Sequence, residues 1–155
     1  MLFRSEMGYI PQIVTTELEG EARLRGVEIA RKIVKMPAKT MLIYGGETTV
    51  SLPANCLGAG GRNQELGLAA AIELAIHRIP AWVITLATDG TDGPTDAAGV
   101  TVNEMTIERA LALGLDPQLA LDGHNAYPFF LQLEDLHLIG ATRTNVADIS
   151  IAIRP

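Results

Sequence analysis

Two short loops carry the residue types from which a reactive site could be built. The first reads Gly58-Ala59-Gly60-Gly61-Arg62-Asn63-Gln64-Glu65, a glycine run opening directly onto a helix. Glycines let backbone approach a ligand closely, and a helix start offers unpaired N–H groups. Arg62 opposes the helix dipole at that start, which makes sense if an anion sits beside it; guanidinium matches phosphate or carboxylate through two parallel hydrogen bonds. A solvated arginine after a flexible loop explains the pattern equally well, because the spacing is neither a P-loop nor a dinucleotide fingerprint. The second loop runs from Thr88 through Asp89, Gly90, Asp92 and Asp96 to Gly99, after an apolar run. Ligands collect at the carboxyl ends of strands in open α/β sheets, and such carboxylates can hold Mg²⁺ or take a proton from a hydroxyl. The same residues can instead form Asx-turns that satisfy the loop's own backbone.

Two further loops carry weaker signals. Gly140-Ala141-Thr142-Arg143-Thr144-Asn145 reads as a connecting turn able to bind an anion, and Gly45-Gly46-Glu47-Thr48-Thr49 as hairpin glycines with a structural Glu47. His77, His124 and His137 show no metal-ligand spacing and are expected at surface or half-buried positions.

The elements that must position these loops follow from periodicity. Residues 10–15 read as a strand and 19–35 as an amphipathic helix, with Leu24, Val27, Ala30 and Val34 on one side and Glu21–Arg25 and Glu28–Lys32 as ion pairs on the other. A buried strand at 40–44 and an alternating one at 47–52 suggest a hairpin. The helix from Arg62 to about Arg78 is apolar on almost every side and should be deeply packed, and 81–87 is a buried strand. Helices are expected at 103–113, 116–122 and 125–133, then strands at 136–140 and 149–153 forming a terminal hairpin. The order predicts an α/β fold, a mixed sheet packed with helices and of Rossmann-like three-layer character.

Composition sets the class. Of 155 residues 48% are hydrophobic and 19% charged, which describes a globular chain; with aromatics at 5%, the core rests on Ala, Leu, Ile and Val. The net charge of −6 argues against nucleic acid or an anionic membrane as partner. A single cysteine, Cys56, and no signal-peptide pattern in Met1–Glu6 suit a cytoplasmic protein.

Taken together, Gly45–Val50, Gly60–Glu65 and Thr88–Gly99 resemble the C-terminal MOFRL domain of the glycerate 2-kinases, some of which carry the older label hydroxypyruvate reductase. Leu18–Ala22 is similar to the segment preceding that domain, so the expected division is a remnant or linker over 1–37 and a MOFRL-like domain over 38–155. The resemblance implies transfer of the ATP γ-phosphoryl group to glycerate, giving 2-phosphoglycerate, in a cleft shared with a larger N-terminal domain. It places catalytic roles on Arg62 and Asp89, and substrate or phosphate contacts on Gly60, Gly61, Asn63, Thr88, Gly90, Asp92, Thr142, Thr144 and Asn145; Asp89 and Asp92 are candidates for Mg²⁺. The family's active-site lysine belongs to the N-terminal domain, and no lysine follows Lys39, so the chain alone is expected to be inactive. Arg143 stands where the family usually has glycine. Two competing readings remain: an anion-binding or assembly module, with an apolar surface covered by a large-domain subunit or by self-association, and an independent Mg²⁺-dependent phosphohydrolase using Asp89 and Asp92.

Overall fold

A computed structural model describes residues 8–155; Met1–Glu6, read above for signal-peptide character, lies outside the described residues. The strands are β1 (Ile10–Leu18), β2 (Thr40–Gly46), β3 (Trp82–Ala87), β4 (Gly99–Asn103) and β5 (Asp148–Arg154). The helices are α1 (Ala22–Ile33), α2 (Arg62–His77), α3 (Thr106–Ala112), α4 (Pro117–Asp122) and α5 (Ala126–Leu133). One sheet has the order β1-β2-β5-β3-β4, with β1 parallel to β2 and every other pair antiparallel. The mixed α/β sheet is therefore as expected. Residues 10–33 belong to it fully, because β1 extends the sheet and α1 adds Ala22, Ile29, Ala30 and Ile33 to the common core.

Both expected hairpins are absent, for one reason: β5 inserts between β2 and β3 and takes the edge of each. After β2 the chain does not fold back. Thr49 instead makes an isolated parallel bridge to Glu21. Gly46 is a close-approach glycine, not a hairpin residue: its φ is +142°, and a Cβ would lie 2.2 Å from the Leu18 nitrogen. Leu136 bridges Val100 on β4 and leaves β5 alone. β4 itself was not anticipated, since it begins at the last residue of the aspartate-rich loop. Gly99 fits there because a Cβ would lie 1.9 Å from the Thr85 carbonyl oxygen.

Of the expected α1 face, Ala30 and Val34 are buried and Val27 packs against the core, but the buried stripe is centred on Gly26, Ile29 and Ile33. Leu24 is 60% exposed, while Gly26 sits on the buried side against α2. The anticipated ion pairs also rearrange. Arg25 binds Glu28, one residue closer than an i,i+4 pair, and the Glu21 carboxylate accepts from the Ser51 backbone and hydroxyl. By contrast α2 is buried along most of its length, as its uniform apolarity required.

The helices cover one face of the sheet, over Leu42, Val83, Val100, Val102 and Ala152. On the opposite face the registered rows Met41–Ile153–Trp82 and Ile43–Ile151–Ile84 carry no charge and are only partly shielded. A sheet that expected solvent on that side would alternate with polar residues. No described helix supplies the third layer there.

Two stability predictions follow. Gly26→Ala gains about 1 kcal/mol in helix propensity, yet its Cβ would lie 2.2 Å from the Leu66 carbonyl oxygen. Urea unfolding should show net destabilisation of about 2 kcal/mol or more. The buried Tyr44 hydroxyl has no partner, and burial, with Glu28 nearby, pushes its pKa up to about 12. Because this exceeds the unfolded value near 10, the stability that the neutral phenol contributes is intact below pH 10 and is lost as pH rises towards 12. Tyr44→Phe should stabilise by about 1 kcal/mol at pH 7, with the gap widening above pH 10 in parallel unfolding curves.

Candidate functional site

All four candidate loops gather at one end of the sheet. Parallel β2 and β3 both finish there, β5 begins there, and α2 starts there. A cleft of about 370 Å³ opens at this end, lined by Glu47, Gly60, Gly61, Arg62, Glu65 and His124 among others.

The start of α2 is not free for a ligand. Asn63 and Gln64 donate their backbone N–H groups to the two carboxylate oxygens of Asp92 at 3.0 and 2.9 Å, and the Asn63 side chain donates to one of them at 3.3 Å. Asp92 is fully buried. It is thus a helix cap brought from a distant loop, and an internal anion occupies the position that sequence alone offered to a phosphate. Burial pushes the Asp92 carboxyl up from its ordinary value, while the Asn63 and Gln64 backbone donors hold it down. The contact requires glycine at 61, where a Cβ would lie 2.3 Å from the Asp92 Cγ. Gln64 completes the seal by donating to the Thr95 hydroxyl.

Arg62, on the outer side of this start, is held by carboxylates on two sides. Its Nε and Nη2 donate to the two oxygens of Asp148, at 2.6 and 3.1 Å. Its Nη1 lies 3.1 Å from Glu47. The Asp148 hydrogen bond is the main influence raising the Arg62 pKa. These two pairs differ in character: the Asp148 side chain is 8% exposed, and that of Glu47 58%. The first is a fixed fork and the second a surface pair that solvent weakens. An entering anion can displace Glu47 from Arg62 without disturbing the fork.

The remaining candidates form a separate knot beside the cleft. Thr88 donates its hydroxyl to the Ala147 carbonyl and accepts there from the Val146 N–H. The Asp89 carbonyl accepts from the Thr142 N–H, and its carboxylate accepts from the Thr91 N–H at 3.1 Å. The Thr142 hydroxyl donates to the Thr88 carbonyl and is bonded by the Thr144 N–H, while Asn145 caps the Ala147 N–H. Gly90, with φ +95°, lies against Gly140, where a Cβ would meet the carbonyl oxygen at 2.0 Å. Arg143 adopts φ +63° and is exposed. The structure thus brings Gly60, Gly61 and Arg62 to the cleft, and Thr88, Asp89 and Gly90 to Thr142–Asn145. Residues 147 and 148 join the two groups, because Ala147 ties down Thr88 and Asp148 ties down Arg62.

Asp89 and Asp92 do not make a Mg²⁺ pair, since Asp92 is sealed beneath α2. Among the described residues no three His, Cys, Asp or Glu side chains are grouped to hold a metal. Sequence reading missed Asp148 and undervalued Glu47. Asp148 lies far along the chain from Arg62, and only the insertion of β5 brings the two together. It also missed Arg23–Glu65–His124, in which Glu65 accepts from Arg23 Nε at 2.8 Å and lies 2.8 Å from His124 Nδ1. The three histidines are half-buried, as expected.

This architecture defines a mixed-sheet α/β domain whose cleft is built on glycine loops around an immobilised arginine. The MOFRL family model matches residues 40–148, and the chain belongs to the MOFRL family. It is 39% identical to the glycerate 2-kinase of Pyrococcus horikoshii, covering 95% of this chain and 34% of that protein. It is 41% identical to the D-glycerate 2-kinase of Thermotoga maritima, covering 96% of this chain and 36% of that protein. The crystal structure of the Thermotoga maritima glycerate kinase superposes with a TM-score of 0.88 at 39% identity, covering 99% of this chain and 38% of that one. A Pyrococcus horikoshii crystal structure gives 0.91 at 36% identity, over 98% of this chain and 36% of that one. The chain thus spans about a third of the length of these relatives. No helix among the described residues is long and apolar enough to cross a membrane.

The fork predicts energetic coupling. In a double-mutant cycle of Arg62→Met and Asp148→Ala read by urea unfolding, the coupling should exceed about 1 kcal/mol. The corresponding cycle with Glu47→Ala should give about 0.5 kcal/mol or less.

Proposed function

We propose that this chain is the C-terminal part of a glycerate 2-kinase-like phosphotransferase and forms one wall of its phosphoryl-transfer cleft. The observation that carries this reading is Arg62, immobilised by Asp148 at the cleft while its second partner, Glu47, is exposed and replaceable. Family membership and the glycerate kinase relatives supply the substrate class. In the proposed reaction a glycerate hydroxyl attacks the γ-phosphorus of ATP, giving 2-phosphoglycerate and ADP. Arg62 exchanges Glu47 for the substrate carboxylate or for the charge growing on the transferring phosphoryl group. Asp89 lies on the adjoining loop with Thr142 and Asn145, outside this cleft lining, and would meet the substrate only where the opposite wall extends the cleft over that loop. No step is routed through Mg²⁺.

Phosphoryl transfer requires both substrates to be fixed in one closed cleft, and the opposite wall is assigned to a further domain. The isolated chain should therefore release no ADP from ATP and glycerate above background in a coupled assay. Adding the part of the Thermotoga relative that this chain does not match should restore turnover, and Arg62→Ala should then cut kcat by about 100-fold or more. Turnover by the chain alone would overturn the divided cleft. Full activity of Arg62→Ala would overturn the role of the arginine.

One observation favours a second reading, an assembly module without catalysis: the uncharged sheet face of Met41, Ile43, Ile84, Ile151 and Ile153. Light scattering on the purified chain distinguishes the two readings. A stable homo-oligomer dispersed by Ile151→Asp, together with no turnover after complementation, would favour assembly.

A further inference from the structure

The geometry points to a further catalytic residue. We propose that His124, oriented by Glu65, is the proton acceptor for the substrate hydroxyl in the cleft; this rests on the kinase reading above. Both residues belong to the cleft lining, whereas Asp89 does not. His124 Nδ1 lies 2.8 Å from Glu65 Oε2 and 3.1 Å from Arg23 Nη2. One nitrogen cannot donate to the first and accept from the second at once, so the surroundings select its state. Arg23 Nη2 donates one of its two N–H groups to the Leu121 carbonyl at 2.9 Å, and Arg23 Nε donates to Glu65 Oε1. Glu65 Oε2 has no other donor among the described residues. A lone pair on Nδ1 would face that carboxylate lone pair to lone pair at 2.8 Å. The proton therefore sits on Nδ1 and is donated to Glu65.

This leaves Nε2 with its lone pair. Nε2 has no hydrogen-bond partner among the described residues. The Glu65 side chain is 3% exposed and that of His124 11%, so the ring is held on its Nδ1 edge in a largely enclosed position at the cleft. A carboxylate that fixes the tautomer and orientation of an imidazole and supports the charge it gains is a general arrangement for base catalysis. Arg23 Nε pairs with Glu65 Oε1 at 2.8 Å, and Asp122 lies 3.9 Å from Arg23. Among the described residues Arg23, Glu65, Asp122 and Glu21 are the charged groups nearest the ring, and Arg62 and Glu47 share the cleft lining with it. The step balances: the hydroxyl proton moves to Nε2, the oxygen attacks the γ-phosphorus of ATP, the bond from that phosphorus to the bridging oxygen breaks, and ADP leaves with the electron pair.

The test begins on the chain itself. Nitrogen-15 chemical shifts should place the neutral His124 ring in the Nδ1–H tautomer; an Nε2–H tautomer overturns the proposal whatever the activity. The second arm uses the complemented assembly with His124→Asn. Asparagine tolerates the φ of +50° at this position, and its amide can still donate to Glu65 while lacking Nε2. Thermal unfolding checks that the variant folds. Expected are a fall in kcat of about 100-fold or more, a glycerate KM within about three-fold, and loss of the acidic limb of the pH–rate profile, with His77→Asn unchanged. An Nδ1–H tautomer with full kcat in His124→Asn overturns the catalytic role. No turnover by the wild-type assembly overturns the kinase reading and this role with it, while leaving the tautomer result standing.

Discussion

The Asp92 carboxylate bound to the first backbone N–H groups of α2 is the contact on which this end of the molecule depends. A helix start with orphan donors cannot be buried uncapped. Gly61 supplies no side-chain cap, and its lack of a Cβ lets Asp92 approach. That approach fixes the aspartate-rich loop against the glycine loop, seats Gly93 over Gly60, and brings Thr95 to Gln64. The helix then begins at a defined residue, so Arg62 leaves its first turn on the outer side, where Asp148 and Glu47 meet it.

The charge pattern that looked anomalous in the sequence is resolved by this contact. An arginine at a helix start opposes the dipole, and three carboxylates compensate: Asp92 beneath the helix, Asp148 beside it and Glu47 towards solvent. The expected anion is real but internal. What remains for a ligand is the exchangeable side of Arg62, so the cleft recognises negative charge through a side chain and not through the helix N-terminus.

Local patterns were legible and long-range pairing was not. Uniform apolarity identified α2 as buried, and the Gly, Asp and Pro punctuation marked every candidate loop. Arg62 and its glycines do line a cleft, and Asp89 does meet Thr142. The two hairpins failed because proximity in sequence favours them, whereas β5 satisfies β2 and β3 together. Leu24 was misassigned because the buried stripe of α1 runs through Ala22, Gly26, Ile29 and Ile33, and its two small residues carry little hydrophobic signal. Asp148 and the Arg23–Glu65–His124 cluster depend on contacts between residues tens of positions apart, which no spacing rule encodes. The family resemblance reached the glycine and aspartate loops but gave no hint that Asp92 is sealed.

Asp92 caps α2 through the Asn63 and Gln64 amides, and hydrogen exchange at those two amides reads the cap directly. The wild-type chain should protect both amides as strongly as the middle of α2. Asp92→Ala should reduce their protection by about 100-fold or more, because two buried donors are left unpaired at a cost of about 3 kcal/mol, while the last turn of the helix is affected much less. Rapid exchange of either amide in the folded wild type would contradict the account.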